Sequence, residues 1–191
     1  MRPAVFLDRD GTMIHDVGYL SRLEDVRWFP WTIDAVRLLN RAGFLVFVIT
    51  NQGGIGLGLC TEATVHAVHA AMGSDLENSG ASVHGWYFCP HHPRAVVPAL
   101  RIDCSCRKPR PGLIHAAERD HEVDLAGSFV AGDKAIDMQL AAAIGARGVL
   151  VRTGYGESEL RRHADHVPGA AHVAADLMEA TSWILRQALR T

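Results

Sequence analysis

The chain alternates between short apolar runs and longer segments in which apolar residues recur every three or four positions. Unbroken apolarity over four or five residues, as opposed to apolar–polar alternation, is typical of strands buried on both faces of a sheet. Five runs have this pattern: residues 4–7, 45–49, 85–88, 128–131 and 148–151. We therefore predict five strands in an open, mostly parallel sheet.

The segments between these runs have the 3.6-residue periodicity of helices with one buried face. The apolar stripes are Ile33, Val36 and Leu39; Val65, Val68, Met72 and Leu76; and Ile136, Leu140 and Ile144. A last helix is predicted over about 174–189. Strands that alternate with helices indicate an α/β fold with helices on both faces of the sheet. We expect residues 1–191 to form a single domain without a large cap domain.

Composition and charge exclude several classes of function. The 191 residues are 48% hydrophobic and 21% charged, and 19 basic against 21 acidic residues give a formal net charge of −2. This near balance argues against nucleic-acid or anionic-membrane partners. No apolar run approaches the ~20 residues of a membrane span, and the N-terminus lacks a signal-peptide pattern. We expect a cytoplasmic monomer.

Two carboxylates follow the first predicted strand. Asp8 and Asp10 are two residues apart, so on an extended chain they face the same way, and Gly11 then permits a turn. They could form a hard-cation site in which one carboxylate acts as nucleophile. An ordinary Asp-Gly turn is the equally common alternative.

Polar residues also follow other predicted strands, and this favours the functional interpretation. Thr50 and Asn51 end the second, and Asp133 and Lys134 follow the fourth. Lys108 precedes a further predicted helix. Asp133 alone could be a helix cap and Lys108 alone a solvated surface charge. Together they would surround Asp8, because the carboxyl ends of parallel strands meet at one edge of the sheet.

These clusters resemble the four ordered motifs of the haloacid-dehalogenase (HAD) phosphatases. The matching residues are Asp8-x-Asp10-Gly11-Thr12, Thr50-Asn51, Lys108-Pro109 and Asp133-(x3)-Asp137. The resemblance implies a Rossmann-like HAD fold and phosphoryl transfer from a phosphomonoester, with Mg²⁺ as cofactor.

The resemblance also implies a role for each matching residue. Asp8 would be the nucleophile, and Asp10 the general acid and then the general base. Mg²⁺ would be held by Asp8, by the backbone carbonyl of Asp10 and by Asp133. Thr50 and Lys108 would stabilise the transferring phosphoryl group. Asp137 would lie behind these groups and orient them.

Three of the four cysteines cluster within a proline-rich segment at about 89–106. Cys89 precedes His91 and His92, and Cys104 and Cys106 follow. Three thiolates and one imidazole make a closed zinc site. A set of ordinary buried or oxidised thiols is the alternative, and spacing alone does not choose between the two histidines.

This segment resembles the zinc-loop branch of the HAD phosphatases. That branch contains D-glycero-D-manno-heptose 1,7-bisphosphate 7-phosphatases and the phosphatase domain of histidinol-phosphate phosphatases. The resemblance implies structural Zn²⁺ on Cys89, His91, Cys104 and Cys106 and, since the loop length fits the heptose group, a small phosphorylated sugar as substrate. By the same resemblance, the substrate contacts would be Asp16, Val17, Gly18, Tyr19, Asn51, Gln52, Gly53, Arg107 and Lys134.

Other interpretations stay open from the sequence. Histidinol phosphate or another small sugar phosphate is the rival substrate. A receiver-like signalling domain also uses a phosphorylated aspartate, and a zinc-dependent interaction module would need no catalysis. The glycine-rich segment 53–59 lacks charge and is interpreted either as a phosphate cradle or as a mobile loop. His66 and His69 are interpreted as surface or helix-face residues.

Overall fold

Six strands alternate with six helices in the computed structural model, which describes residues 1–189. The strands are β1 (Arg2–Leu7), β2 (Leu45–Asn51), β3 (Gly85–Cys89), β4 (Val123–Gly132), β5 (Arg147–Val151) and β6 (Ala170–Ala174). The helices are α1 (Thr32–Arg41), α2 (Glu62–Asn78), α3 (Gly112–Asp120), α4 (Ala135–Ala143), α5 (Gly156–Arg162) and α6 (Leu177–Ala188).

All six strands form one parallel sheet in the order β3-β2-β1-β4-β5-β6. The order reverses direction between β1 and β4, and ligands of open α/β sheets bind beyond the strand ends at such a switch point. The residues that follow β1 and β4 are Asp8 and Asp133. The topology therefore places the two carboxylates singled out from the sequence on either side of the switch point.

Helices cover both faces of this sheet, as predicted. Alternate residues of β1 belong to different cores: Val5 and Leu7 pack in the same core as α1 and α6, whereas Ala4 and Phe6 pack in the core that includes α3. A strand buried on both faces cannot show polar alternation. This is why continuous apolar runs predicted the central strands correctly.

One edge of the sheet departs from the sequence prediction, whereas the other edge strand, β3, was predicted. Strand β6 and helix α5 were not predicted, and the last helix begins at Leu177 because Ala174 ends β6. Strand β6 lies at the sheet edge and is only partly buried, so it lacks the long apolar run of the central strands. Asp176 caps the last helix, its side chain accepting from the backbone N–H of Met178 and Glu179. Within residues 1–189, no helix combines the length and apolarity needed to cross a membrane.

Candidate active site

The carboxyl edge of the sheet brings together the residues that the sequence motifs singled out. Asp8 and Asp133 lie beside Asp137 of α4. Lys108, on the loop between β3 and α3, lies next to them. One carboxylate oxygen from each of the three aspartates lies within 4.8 Å of the others. Three buried acids at this spacing would repel one another strongly without a compensating cation.

Asp8 is held in its ionised form by neighbouring cations. Its Oδ1 lies 3.0 Å from Lys108 Nζ and also accepts the Arg9 backbone N–H at 2.8 Å. Burial alone would raise the pKa of Asp8, but Lys108 and Lys134 outweigh it and hold the pKa below its ordinary value. A buried, ionised carboxylate beside a lysine has the properties required of a nucleophile.

The pKa of Asp133 is shifted in the opposite direction to that of Asp8. Burial and then the charge of Asp8 raise the pKa of Asp133 to about 8. Its Oδ2 accepts the Tyr155 backbone N–H at 2.8 Å, but its buried Oδ1 has no hydrogen-bond partner within residues 1–189. A buried carboxylate oxygen that lacks a hydrogen bond, has only the Lys134 ammonium 3.6 Å away and lies in a cluster with two further carboxylates fits a hard divalent cation. The residues present are therefore suited to Mg²⁺.

Lys108 is fixed in place by Asp137. Lys108 Nζ donates to Asp137 Oδ1 at 2.6 Å, and the side chain of Asp137 is completely buried. Burial by itself would lower the pKa of Lys108, but Asp137 and Asp8 raise it, so the ammonium group stays charged. Asn51 adds two hydrogen bonds, one to the backbone N–H and one to the carbonyl of Lys108.

Asp10 is held by Arg9, which the sequence did not assign to the site, and by Gln52, which it assigned to the substrate. Both of its carboxylate oxygens accept from Arg9, at 2.9–3.2 Å, and Oδ2 also accepts from Gln52 Nε2 at 2.9 Å. Gln52 Nε2 donates to Thr50 Oγ1 as well, so the Thr50 hydroxyl hydrogen is available to another acceptor.

The position of Gln52 departs from its prediction as a substrate contact. The residue is buried, and both its side-chain oxygen and nitrogen are engaged with Arg9, Asp10 and Thr50. The structure thus turns Gln52 inward, toward Asp10. Arg9 was missed because nothing in its spacing distinguishes a buried arginine from an exposed one.

A pocket of about 320 Å³ opens beside the acidic cluster. It is lined by Asp16, Gly18, Tyr19, Asn51, Arg107, Lys134, Ile136 and Tyr155. Lys134 Nζ connects the pocket to the cluster, since it lies 3.3 Å from Asp16 Oδ2 and 3.6 Å from Asp133 Oδ1. Val17 is about half exposed and does not line this pocket. Most of the predicted substrate contacts therefore surround one cavity, and Tyr155 is an addition that the sequence did not predict.

The glycine-rich segment 53–59 is packed against its neighbours, which limits both sequence interpretations. A Cβ at Gly53 would lie 2.9 Å from His92, and one at Gly56 would lie 3.0 Å from the Pro90 carbonyl. The backbone N–H groups of residues 55–59 all donate to protein carbonyls. These five groups are therefore not free to cradle a phosphate, whereas within residues 1–189 the N–H groups of Gly53 and Gly54 make no such bond and stay available. The close contacts do not describe a mobile loop. The glycines let this segment approach the cysteine-containing loop.

The cysteine-containing loop gathers the four predicted metal ligands. The sulfur atoms of Cys89, Cys104 and Cys106 and Nδ1 of His91 lie close together, with contacts of 3.2–3.6 Å. All four cysteines are free thiols. Atoms at this spacing surround a point from which each could reach a tetrahedral ion. The cluster can therefore hold a metal ion, and His91 contributes its ring nitrogen to it.

Arg107 ties this cluster to the pocket. It follows Cys106 directly, and its Nη1 donates to the backbone carbonyl of His91 at 2.8 Å. Within residues 1–189 its guanidinium makes no other hydrogen bond, although the residue lines the pocket. The remaining guanidinium N–H groups are available to an anion.

Comparisons with known proteins place this geometry in a family. A family profile described as HAD-hydrolase-like matches residues 105–180. The D-glycero-beta-D-manno-heptose-1,7-bisphosphate 7-phosphatase of Yersinia pestis is 44% identical over 154 residues, which cover 80% of this chain and 81% of the relative. The D-glycero-D-manno-heptose-1,7-bisphosphate 7-phosphatase of Thermosynechococcus vestitus is 41% identical over 96% of this chain and 95% of its own.

The chain belongs to this family of HAD phosphatases. A solved D,D-heptose 1,7-bisphosphate phosphatase from B. bronchiseptica, described as complexed with magnesium and phosphate, superimposes with a TM-score of 0.85 at 32% identity. That match covers 98% of this chain and 99% of the other. The protein is therefore a phosphoric monoester hydrolase with the HAD fold, and the receiver-like alternative is excluded. HAD phosphatases use Mg²⁺, which agrees with the donor set around Asp133.

Proposed function

We propose that this phosphatase removes the 7-phosphate of D-glycero-D-manno-heptose 1,7-bisphosphate through an aspartyl-phosphate on Asp8. The observation that carries the chemistry is the buried Asp8, whose carboxylate lies 3.0 Å from Lys108 Nζ and within 4.8 Å of a carboxylate oxygen of Asp133. The substrate is inferred from the relatives, whose names specify this sugar bisphosphate.

In the first half-reaction, a carboxylate oxygen of Asp8 attacks the phosphorus atom of the 7-phosphate. The bond between phosphorus and the sugar oxygen breaks, and Asp10 gives its proton to that oxygen as it leaves. Lys108 and the Thr50 hydroxyl stabilise the equatorial phosphoryl oxygens, because both can donate to the charge that these oxygens carry. The products are the heptose 1-phosphate and the phosphorylated Asp8.

In the second half-reaction, Asp10 accepts a proton from water, and the water oxygen attacks the phosphorus atom. The bond between phosphorus and Asp8 breaks, which regenerates the carboxylate and releases inorganic phosphate. Asp10 thus ends in its protonated form, ready to act again as an acid. Two steps with an anionic nucleophile replace one difficult attack by neutral water.

Asp8, Asp133 and the backbone carbonyl of Asp10 would hold Mg²⁺ in this scheme. When bound, Mg²⁺ neutralises charge on the phosphoryl group as the nucleophile approaches. Asp137 is assigned to Lys108, since its Oδ1 accepts from Lys108 Nζ and its Oδ2 from the Lys134 backbone N–H. In this assignment Asp137 positions Lys108 and does not bind the metal.

Zn²⁺ is proposed for Cys89, His91, Cys104 and Cys106, with a structural role. Four protein ligands fill a tetrahedral site and leave no position for a reacting water. The loop from Pro90 to Pro111 has little apolar core of its own, so a metal would supply its missing folding energy. By holding this loop, zinc would fix the Arg107 guanidinium at the pocket.

The second phosphate of the substrate is proposed to bind Arg107 with support from Lys134. Both residues line the pocket beside the acidic cluster. No charged side chain comes from segment 53–59, so recognition of this phosphate depends on the cysteine-containing loop and on the start of α4.

A substrate comparison tests the proposal. The values of kcat/KM for the heptose 1,7-bisphosphate, its two monophosphates and histidinol phosphate would be measured with Mg²⁺, and the product followed by phosphorus NMR. We expect the bisphosphate to give the highest kcat/KM and heptose 1-phosphate to be the sugar product. A preference for histidinol phosphate, or cleavage of the phosphate at C1 to give heptose 7-phosphate, would contradict the proposed substrate.

A further inference from the structure

His69 contacts the active site from a position that the proposed reaction does not use. It lies on α2, where it shares the buried stripe of Val68 and Met72, and it is 4% exposed. Its ring stacks on Trp86, with centroids 4.8 Å apart. Its Nε2 lies 3.2 Å from Arg9 Nη1. A histidine interpreted from sequence as a surface or helix-face residue is therefore buried against the arginine that binds Asp10.

The two edges of the Arg9 guanidinium have different partners. Nε and Nη2 donate to the Asp10 carboxylate, and Nη2 also donates to Gln52 Oε1. The remaining nitrogen, Nη1, faces His69. Arg9 is 1% exposed, so water cannot replace a missing acceptor at Nη1 without a rearrangement. Because the guanidinium is planar and rigid, the contact of Nη1 with His69 also fixes the orientation of Nε and Nη2, which donate to Asp10.

The contact also defines the state of the imidazole. A guanidinium has donors only, so Nε2 of His69 must be the unprotonated nitrogen and Nδ1 carries the hydrogen. Burial, then the charges of Arg9 and His66, lower the pKa of His69 to about 3. His69 therefore stays a neutral acceptor throughout the pH range in which the phosphatase would work.

We propose that His69 is a positioning residue that fixes Arg9, so that the guanidinium orients Asp10 for both proton transfers. This inference rests on the proposed role of Asp10 as general acid and base. Gln52 supports the same carboxylate from the other side, since it bridges Asp10 and Thr50. Without an acceptor at residue 69, Arg9 loses one of its fixed edges, and the Asp10 carboxylate loses its defined direction.

Substitutions at residue 69 test whether the hydrogen-bond acceptor of His69 or only its volume is needed. In His69→Gln the amide oxygen can reach the position of Nε2. In His69→Leu there is no acceptor, and in His69→Asn the amide is too short to reach Arg9. The matched control is His66→Gln, one turn earlier on the same helix, where the side chain is exposed.

Two kinds of substrate distinguish a loss of proton transfer by Asp10 from a general loss of activity through misfolding. A sugar phosphate has a basic alkoxide leaving group that needs the Asp10 proton, whereas an aryl phosphate with a weakly basic phenolate does not. Steady-state kcat and KM would be measured for the sugar phosphate. Single-turnover release of the phenolate would report attack by Asp8 alone. Thermal unfolding would show which variants are folded.

For His69→Leu we expect kcat on the sugar phosphate to fall about tenfold, with KM and the phenolate burst within about twofold of wild type. His69→Gln and His66→Gln should retain kcat within about threefold of wild type. If His69→Leu does not fold, His69→Asn takes its place in the same comparison.

Three results would overturn the positioning role: unchanged kcat in His69→Leu, an equal loss on both substrates, or a Gln variant as slow as the Leu variant. The Asp10→Asn variant tests the proposed function separately. If it turns over the sugar phosphate normally, the acid–base role of Asp10 fails whatever residue 69 does.

Discussion

Asp8 and Asp133 are close neighbours, yet their surroundings move their pKa values in opposite directions. Lys108 and Lys134 lower the pKa of Asp8, while burial and the negative charge of Asp8 raise that of Asp133 to about 8. The nucleophile is therefore ionised before the cation binds, and Asp133 is largely protonated at neutral pH. Burial and several neighbouring charges together set both states.

This difference predicts a proton-linked affinity for Mg²⁺. Binding requires the Asp133 carboxylate, so each ion bound at pH 7 should release close to one proton. The affinity should rise about tenfold per pH unit below about pH 7, more slowly toward pH 8, and level off above about pH 9. Calorimetry in buffers of different ionisation enthalpy measures the release. Asp133→Asn should lose the linkage, and the absence of proton release by wild type at pH 7 would contradict the assignment.

His69 predicts a second pH dependence, in stability. Its pKa is about 3 in the folded chain and 6.5 as a free side chain, so the unfolded chain binds a proton between these values. The stability that comes from a neutral His69 is complete above pH 6.5 and is lost as the pH falls toward 3. Between pH 6.5 and pH 4 wild type should lose about 2–3 kcal/mol more than His69→Gln in its free energy of unfolding. Urea titrations of both proteins at the same metal concentrations measure this, and parallel pH profiles would contradict it.

At the scale of elements, the sequence predicted five of the six strands described and missed only the edge strand β6. Continuous apolar runs predicted β1, β2, β4 and β5, and also β3, a partly buried strand at the other edge of the sheet. The edge strand β6 is only partly buried and has no such signal. The contact of His69 with Arg9 depends on how α2 packs against the segment that follows β1, which no local spacing encodes. The sequence did contain a signal for the burial of His69, because His69 lies four residues after Val65 and three before Met72, on the buried face of α2.

We expect the order of the cysteine-containing loop to depend on a metal ion bound to Cys89, His91, Cys104 and Cys106. Purified without added metal, the chain should carry about one zinc ion. Cys106→Ser should lose that zinc, weaken hydrogen-exchange protection over residues 90–106 and lower kcat/KM, because Arg107 is the next residue. The control is Cys60→Ser, since Cys60 lies outside the cluster. Full zinc content in Cys106→Ser would contradict the ligand set.

At the scale of the whole molecule, short loops from both halves of the sheet enclose the substrate pocket. Asp16 and Tyr19 come from the segment after β1, Arg107 from the segment after β3, and Lys134 from the start of α4. The sequence could predict that these segments meet, because parallel strands share a carboxyl edge. It could not show that Gln52 turns inward or that Tyr155 lines the pocket.

Arg107 should distinguish a bisphosphate from a monophosphate. In Arg107→Met the kcat/KM for the heptose 1,7-bisphosphate should fall about ten- to a hundredfold, since a charge-assisted hydrogen bond to phosphate contributes about 1.5–3 kcal/mol. The heptose 7-phosphate should lose much less. Arg110→Met is the control, because Arg110 pairs with the exposed Asp103 on the same loop. Equal losses on both substrates would remove Arg107 from recognition of the second phosphate.

Trapping the covalent intermediate tests the central claim most directly. The Asp10→Asn variant, loaded with Mg²⁺ and an aryl phosphate, can form the aspartyl-phosphate but lacks the base that hydrolyses it. Acid quenching, borohydride reduction and peptide mass spectrometry should then find homoserine in place of Asp8. Aryl phosphate turnover that leaves Asp8 unmodified, or modification of another carboxylate, would contradict the proposed reaction.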